Sequence, residues 1–386
     1  MSLRGHGPAQ LGVTRPRAVQ LGIVAVLVVQ CVRGVRLGAS DFERSYWLVT
    51  YAHGFVRRGL GGELLRLLPG PLTEGTLLVA VLLTSLVPAA LLAVLVWRLA
   101  AAPGVPARLL ALLLAASPAS LLSVLDKHRP DQVGLAVLVL LALAPERRYV
   151  RWPIAVLLGI AVLVHEGSLL MFGSFALPLL VRANTRRAWL RATAFYVPAA
   201  LAAAAVLLGG RASEQQWRAL AADPAAEALL SDPYDKDLSV LPYLGDSLTD
   251  AFASVSALSA ERLWQMGVFG LILVAVHGAW LAASGVRAQG PLTAWIPPLA
   301  ALILVYATGV DWQRWAASAI LATLVVLAGQ LLAAQLLDAD SPRRVAAPRW
   351  PVWWLAALYL ASRPPAPSVA WRTGWEGLLG FWTWPF

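Results

Sequence analysis

Ionisable side chains set against long apolar runs are where this chain could do chemistry. The densest group lies in Ser40 to Leu68, SDFERSYWLVTYAHGFVRRGLGGELLRLL, which places Asp41, Glu43, Arg44, His53, Arg57, Arg58 and Glu63 between two strongly apolar segments. Charge beside hydrocarbon is costly, so such residues by default mark a site or a pathway. Asp41 and Glu43 are candidates for proton transfer. Arg57 and Arg58, followed by Gly59, Gly61 and Gly62, would offer forked donors and bare backbone to a phosphate, with His53 beside them. A plainer reading covers part of the same stretch. Leu60, Leu64, Leu67 and Leu68 fall at helical spacing with Glu63 and Arg66 opposite, the pattern of an amphipathic helix lying in the membrane interface. The two readings are compatible.

Three further clusters share this character. Asp126-Lys127-His128-Arg129-Pro130-Asp131 reads either as a helix-capping turn among lipid headgroups or as phosphate ligands, Lys127, His128 and Arg129, with Asp131 orienting them. His165-Glu166 ends an apolar run where a solvated turn would more cheaply use Ser or Asn. The pair is either packed and mutually satisfied, or catalytic, orienting an acceptor or relaying a proton. A zinc-protease site is excluded, because HEGSL lacks the second His of H-E-x-x-H. Asp311 and Arg314 have helical spacing for an ion pair, and are otherwise substrate-binding candidates. No G-x-S-x-G elbow or Walker loop occurs, which argues against a serine hydrolase or NTPase of the usual kinds. His6 and His277 have no charged company and read as incidental.

The elements that must position these residues are membrane helices. The chain has 386 residues, 59% hydrophobic and 13% charged, against about 25% charged in a soluble domain. Apolar runs are expected to span near 18–38, 74–97, 109–125, 132–145, 152–164, 168–181, 192–208, 264–284, 292–308, 316–337 and 351–361. The fold class is therefore an all-α polytopic bundle of about eleven spans, forming one integral-membrane domain over 1–386. Its extramembrane parts are a first outer loop, 39–73, a long acidic outer loop, 209–262, and a Trp-rich interfacial tail, 362–386. The run at 152–164 is too short for about 30 Å of hydrocarbon, so 152–181 reads as two short spans or a broken, re-entrant pair. The 209–262 connection reads as a lid, a binding loop or disorder. One cysteine, Cys31, excludes an internal disulfide and a Cys-based metal site. The net charge of +10 is not a nucleic-acid footprint. Its Lys/Arg excess gathers in alternate loops, as the positive-inside rule requires, and sends all four clusters to the opposite, outer side.

An acidic residue just after the first span, then an interfacial helix and basic residues, resembles the GT-C superfamily of integral-membrane glycosyltransferases, which use polyprenyl-phosphate-linked sugar donors. The likeness lies mainly in the stretch from the first span to Leu68 and in the general layout. It implies Asp41 as the catalytic carboxylate, with Glu43 second. It implies a polyprenyl-phosphate-sugar donor, a glycan, lipid or protein acceptor, and a site on the extracytoplasmic face of a bacterial plasma membrane. The chain departs from many members in lacking a large soluble C-terminal domain, which leaves acceptor recognition to 209–262. In this reaction a carboxylate takes the acceptor hydroxyl's proton, and Arg57, Arg58, Arg129 and Arg314 meet the charge developing on the leaving phosphate. Whether a divalent metal takes part is open at this point: Asp41, Glu43 and Glu166 could bind one, but nothing in the sequence forces it. Membrane lipids are the other expected partners. GFVRRGL, HEG and DWxRW also resemble segments of uncharacterised bacterial envelope membrane proteins. The alternatives are a lipid-linked glycan polymerase, ligase or acyltransferase on the same face, or a transporter or flippase. Transport predicts ionisable residues near mid-membrane and repeat symmetry, neither of which the sequence displays.

Overall fold

The computed structural model describes residues 14–34, 40–117, 119–120, 129–144, 148–308 and 312–337, and among these every regular element is helical. In chain order the helices are α1 (Thr14–Gly34), α2 (Asp41–Ser45), α3 (Gly59–Arg66), α4 (Glu74–Ala101), α5 (Val105–Ala116), α6 (Gln132–Leu143), α7 (Arg148–Val164), α8 (Leu177–Leu180), α9 (Arg186–Gly209), α10 (Glu214–Ala221), α11 (Pro224–Leu229), α12 (Leu248–Ser256), α13 (Ala260–Ser284), α14 (Ile296–Thr308) and α15 (Trp312–Leu337). Their starts follow local chemistry. Thr73 and Thr185 cap α4 and α9 by accepting the N–H of Thr76 and Ala188. Gly104, at φ 102°, followed by Pro106 turns the chain sharply into α5.

Among the described residues three helices are long and apolar enough to cross a membrane: α4, α9 and the Arg314–Ala334 part of α15. Shorter apolar helices pack with them. The run expected at 152–164 is longer than anticipated, 17 residues from Arg148; at 1.5 Å per residue it reaches about 26 Å. The next run, 169–180, is helical throughout but changes pitch twice. It is π-helical over Leu169–Gly173, 3₁₀ over Ser174–Ala176, and α only in α8. The stretches expected as a span at 351–361 and a tail at 362–386 lie outside the described residues.

Helix surfaces sort into protein-facing and lipid-facing. Leu110 and Leu113 of α5, Leu135 and Val139 of α6, and Leu321 and Val325 of α15 have no exposed surface. Helices apolar all round belong in a core, and these three form its centre. On α4 (Val79, Leu83, Leu86), α9 (Leu201, Leu207, Leu208) and α13 (Leu271, Val274), large apolar side chains are more than half exposed. Such continuous exposed apolar area suits hydrocarbon, not water.

At one end of the bundle the two expected outer loops fold together. Tyr46, Trp47, Leu48, Val49 and Val56 of the first pack with Ala212, Leu220, Ala221, Leu230, Val240, Leu241 and Leu244 of the second, over Leu77, Ala80 and Val81 at the start of α4. The 209–262 segment is thus folded, not a disordered connection. Capping boxes at Ser213/Gln216 and Ser247/Asp250 start two of its helices. Asp41 accepts the Ser231 N–H at 2.7 Å, and Ser45 accepts the Val240 N–H at 2.8 Å, tying one loop to the other.

Candidate functional site

The cap covers the end where α4, α6 and α15 begin and α7 and α9 finish, so residues distant in sequence meet there. Arg58 sits in the left-handed region, φ 66°, immediately before α3. This uncommon backbone for a side-chain-bearing residue accompanies a fork–fork pair across 108 residues: Arg58 Nε donates to both Glu166 oxygens at 2.9 and 3.0 Å, and Nη2 donates as well. The guanidinium also lies over the Tyr46 ring, 5.5 Å from its centroid. Burial opposes Arg58's charge, yet Glu166 outweighs it and raises the Arg58 pKa. Burial likewise pushes Glu166 up, but Arg58 and then His165 hold it well below the carboxylate range.

The three glycines of α3 do something other than expected. Cβ atoms at Gly59, Gly61 and Gly62 would lie 2.3 Å from Tyr51, 3.2 Å from Trp47 and 2.1 Å from the Val49 carbonyl oxygen. Their bare backbone is filled by the chain itself and not held open for a phosphate, because α3 lies directly on the 47–51 segment. The opposite face carries Leu64, Leu67 and Leu68, about half or more exposed, as an interfacial helix requires.

Around Arg58 and Glu166 stand the other predicted groups. His165 is buried with its ring 5.5 Å from that of Tyr46. Desolvation lowers its pKa to about 4, and the charge of Arg58 pushes the same way. Asp131, with no exposed surface, accepts from Arg314 Nη1 at 2.6 Å. This pair is close enough to Arg58 and His165 to act on their ionisation. Arg57 turns to the cap: Nη2 donates to the Tyr243 carbonyl and, at 3.2 Å, to that of Asp246. Arg129 covers the Phe42 ring at 5.3 Å.

The structure therefore brings together Arg57, Arg58, Asp131, His165, Glu166 and Arg314, with Arg129 at the edge. Asp41 and Glu43 belong to the hinge between the loops. Glu43 accepts the Ser40 N–H at 2.8 Å in the capping box of α2. Asp41 holds Ser231 through Oδ2, while Oδ1 is 3.8 Å from Arg44. His53 is exposed and contributes only its carbonyl, to Gln216. Lys127, His128 and Asp311 lie outside the described residues. Among the described residues no group of three His, Cys, Asp or Glu is placed to hold a metal ion.

Residues not singled out from sequence complete the site. Tyr46 and Trp47 line it, while Arg211, Lys236 and Asp246 lock the cap. Arg211 Nε donates to the Gly245 carbonyl at 2.8 Å, and Lys236 pairs with Asp246 at 3.0 Å. The signal for Tyr46 and Trp47 was present, two aromatics with polar tips among charges.

With this geometry in view, comparison with known proteins is informative. The model of the family "uncharacterised membrane protein Rv1490" matches residues 17–223. This chain belongs to that family. The matched part runs from α1 into the cap and contains Arg57, Arg58, Asp131, His165 and Glu166; Arg314 lies beyond it. Neither the curated proteins nor the solved structures contain a match.

Proposed function

We propose that this membrane protein is a GT-C-like glycosyltransferase of about eleven spans. It would move a sugar from a polyprenyl-phosphate-linked donor to an extracytoplasmic acceptor. One observation carries the reading: buried N–H donors around the Arg58–Glu166 pair lack acceptors. Arg57 Nε and Trp47 Nε1 are buried without a partner. The benzo edge of the Trp47 ring packs on α3 at Gly61, next to Val164. Unmatched buried donors are expensive, and a phosphate oxygen would match them. Glu166 is 28% exposed and Arg58 16%, so the cluster is shielded yet reachable. Donors preorganised in such a setting stabilise charge developing on a leaving phosphate.

The carboxylates divide by environment. Glu166 is held ionised by Arg58 and makes a poor base, Asp131 is engaged by Arg314, and Glu43 is committed to its cap. Asp41 keeps Oδ1 outside hydrogen-bond range of any described group, so it is the residue for the acceptor proton. It lies at the seam with the acidic cap, where an acceptor would enter. The basic helix ends, Arg98, Arg151, Arg186 and Arg187, lie at the other end of the bundle, which under the positive-inside rule supports an outward-facing site.

Purified protein should transfer labelled sugar from a polyprenyl-phosphate donor. Asp41→Asn should abolish transfer and retain donor binding, whereas Arg57→Ala should weaken donor binding. Absence of transfer from every polyprenyl-phosphate sugar offered would overturn the reading. Full activity in Asp41→Asn would remove Asp41 from the base role.

A further inference from the structure

We propose that His165 is a neutral hydrogen-bond donor, presenting Nε2–H to an acceptor oxygen of bound ligand, and is not the proton acceptor its place beside Glu166 suggests. The inference deepens the reading above and rests on it only for the ligand's identity, a phosphate oxygen of the lipid-linked donor.

The backbone shows which ring nitrogen carries the proton. Gly167 N–H donates to His165 Nδ1 at 3.1 Å. An accepting Nδ1 is unprotonated, so in the neutral ring the proton is on Nε2. The contact depends on residue 167 being glycine. A Cβ there would lie 2.9 Å from both Cε1 and Nδ1 of the ring, closer than Cβ atoms approach. This gives a physical reason for His-x-Gly: the glycine both supplies the N–H and leaves room for the imidazole against its own turn. Ala161 accepts the His165 N–H, and His165 in turn accepts the Ser168 N–H, so the backbone on both sides is pinned.

The surroundings keep the ring uncharged. The groups around it are Arg58 from before α3, Glu166 beside it, Asp131 at the start of α6, Arg314 in α15 and Tyr46 after α2. Arg58 and Arg314 oppose a proton, Glu166 and Asp131 favour one, and burial adds to the opposition. Nε2 has no partner among the described residues, although His165 is only 7% exposed. An N–H donor held in orientation at the small accessible part of a nearly buried ring, and without an acceptor, matches a ligand oxygen and not a proton to be abstracted.

Two measurements on the full-length protein test this. In protein labelled with ¹⁵N-histidine, the resonances missing from His165→Gln identify residue 165. They should show a protonated Nε2 and a bare Nδ1 throughout pH 5 to 8. An Nδ1–H tautomer, or an imidazolium forming near pH 6.5, would overturn the inference. For binding, polyprenyl phosphate is titrated into nanodiscs. Gln places an amide N–H near the position of Nε2, so His165→Gln should bind within threefold of wild type. His165→Phe, which keeps a ring and loses the donor, should bind at least tenfold more weakly. Wild-type affinity in His165→Phe, or equal loss in both variants, would refute the donor role. The nitrogen spectrum needs no turnover, so failure of sugar transfer with the expected tautomer would defeat the transfer reading and leave this one intact.

Discussion

Replacing Glu166 by Gln removes the charge that neutralises Arg58 while leaving nearly the same shape. Arg58 would then be a cation 16% exposed, over the Tyr46 ring, with its fork facing an amide. Breaking a buried pair by removing one partner costs about 3–5 kcal/mol. Glu166 is 28% exposed, so water reaches the gap and the expected loss is about 2–3 kcal/mol, roughly a 30- to 150-fold change in the unfolding constant. Removing both charges in Arg58→Met/Glu166→Leu should restore much of this, because no isolated charge remains. The double-mutant cycle should give a coupling energy of about 2 kcal/mol. The assay is reversible unfolding in mixed micelles, followed by intrinsic fluorescence of the chain's 17 tryptophans. A Glu166→Gln loss below about 0.5 kcal/mol with additive single variants would mean the pair does not form, and the proposed convergence would fail with it.

Three other outcomes follow from the same geometry. Gly62→Ala drives a Cβ to 2.1 Å from the Val49 oxygen and should destabilise the cap by at least about 2 kcal/mol, whereas Gly22→Ala, with nothing within 4 Å, should not; equal unfolding midpoints would contradict the packing of α3. Asp131→Asn removes the buried carboxylate that Arg314 Nη1 pairs with and should cost about 3 kcal/mol, and Asp131→Leu with Arg314→Met should cost less than the sum of the single changes; additivity would refute the pair. Finally, His165 resists protonation in the folded protein until about pH 4, while the unfolded chain takes up that proton near pH 6.5. Stability should therefore fall as pH drops from about 6.5 to 4, by up to about 3 kcal/mol, and His165→Gln should lack that part of the slope; identical pH profiles would show that His165 is not held neutral. The Glu166 contribution is separate, being present above about pH 4.3 and lost only on further acidification, because its folded pKa is depressed.

Much of this was legible in residue types and spacing. Hydropathy identifies apolar helices, three of them among the described residues long enough to cross a membrane, and Arg57, Arg58, Asp131, His165, Glu166 and Arg314, singled out from sequence, meet at one end. Expense explains the legibility: a charge beside hydrocarbon is retained only where something uses or pairs it. Pairing choice was not legible. Arg58 with Glu166 and Asp131 with Arg314 are separated by 108 and 183 residues, and only the packing of α3 on α7 and α6 on α15 selects them. The glycines after Arg58 suggested a phosphate cradle, but the same small side chains serve a close helix contact, and sequence cannot tell which surface fills the space. For a related reason sequence could not choose among a lid, a binding loop and disorder for 209–262. Its helices are short and polar, yet S-x-x-Q at Ser213 and S-x-x-D at Ser247 announced two of them. What remained hidden was that two weakly apolar loops bury each other.

The most direct test of the account compares two lipids that differ only in charge. Polyprenyl phosphate and the uncharged polyprenol are titrated into nanodiscs holding the wild-type protein. If unmatched donors around Arg58 form a phosphate site, the phosphorylated lipid binds at least tenfold more tightly and the preference disappears in Arg57→Ala/Arg58→Met. Equal affinity for the two lipids would show that no phosphate is recognised there.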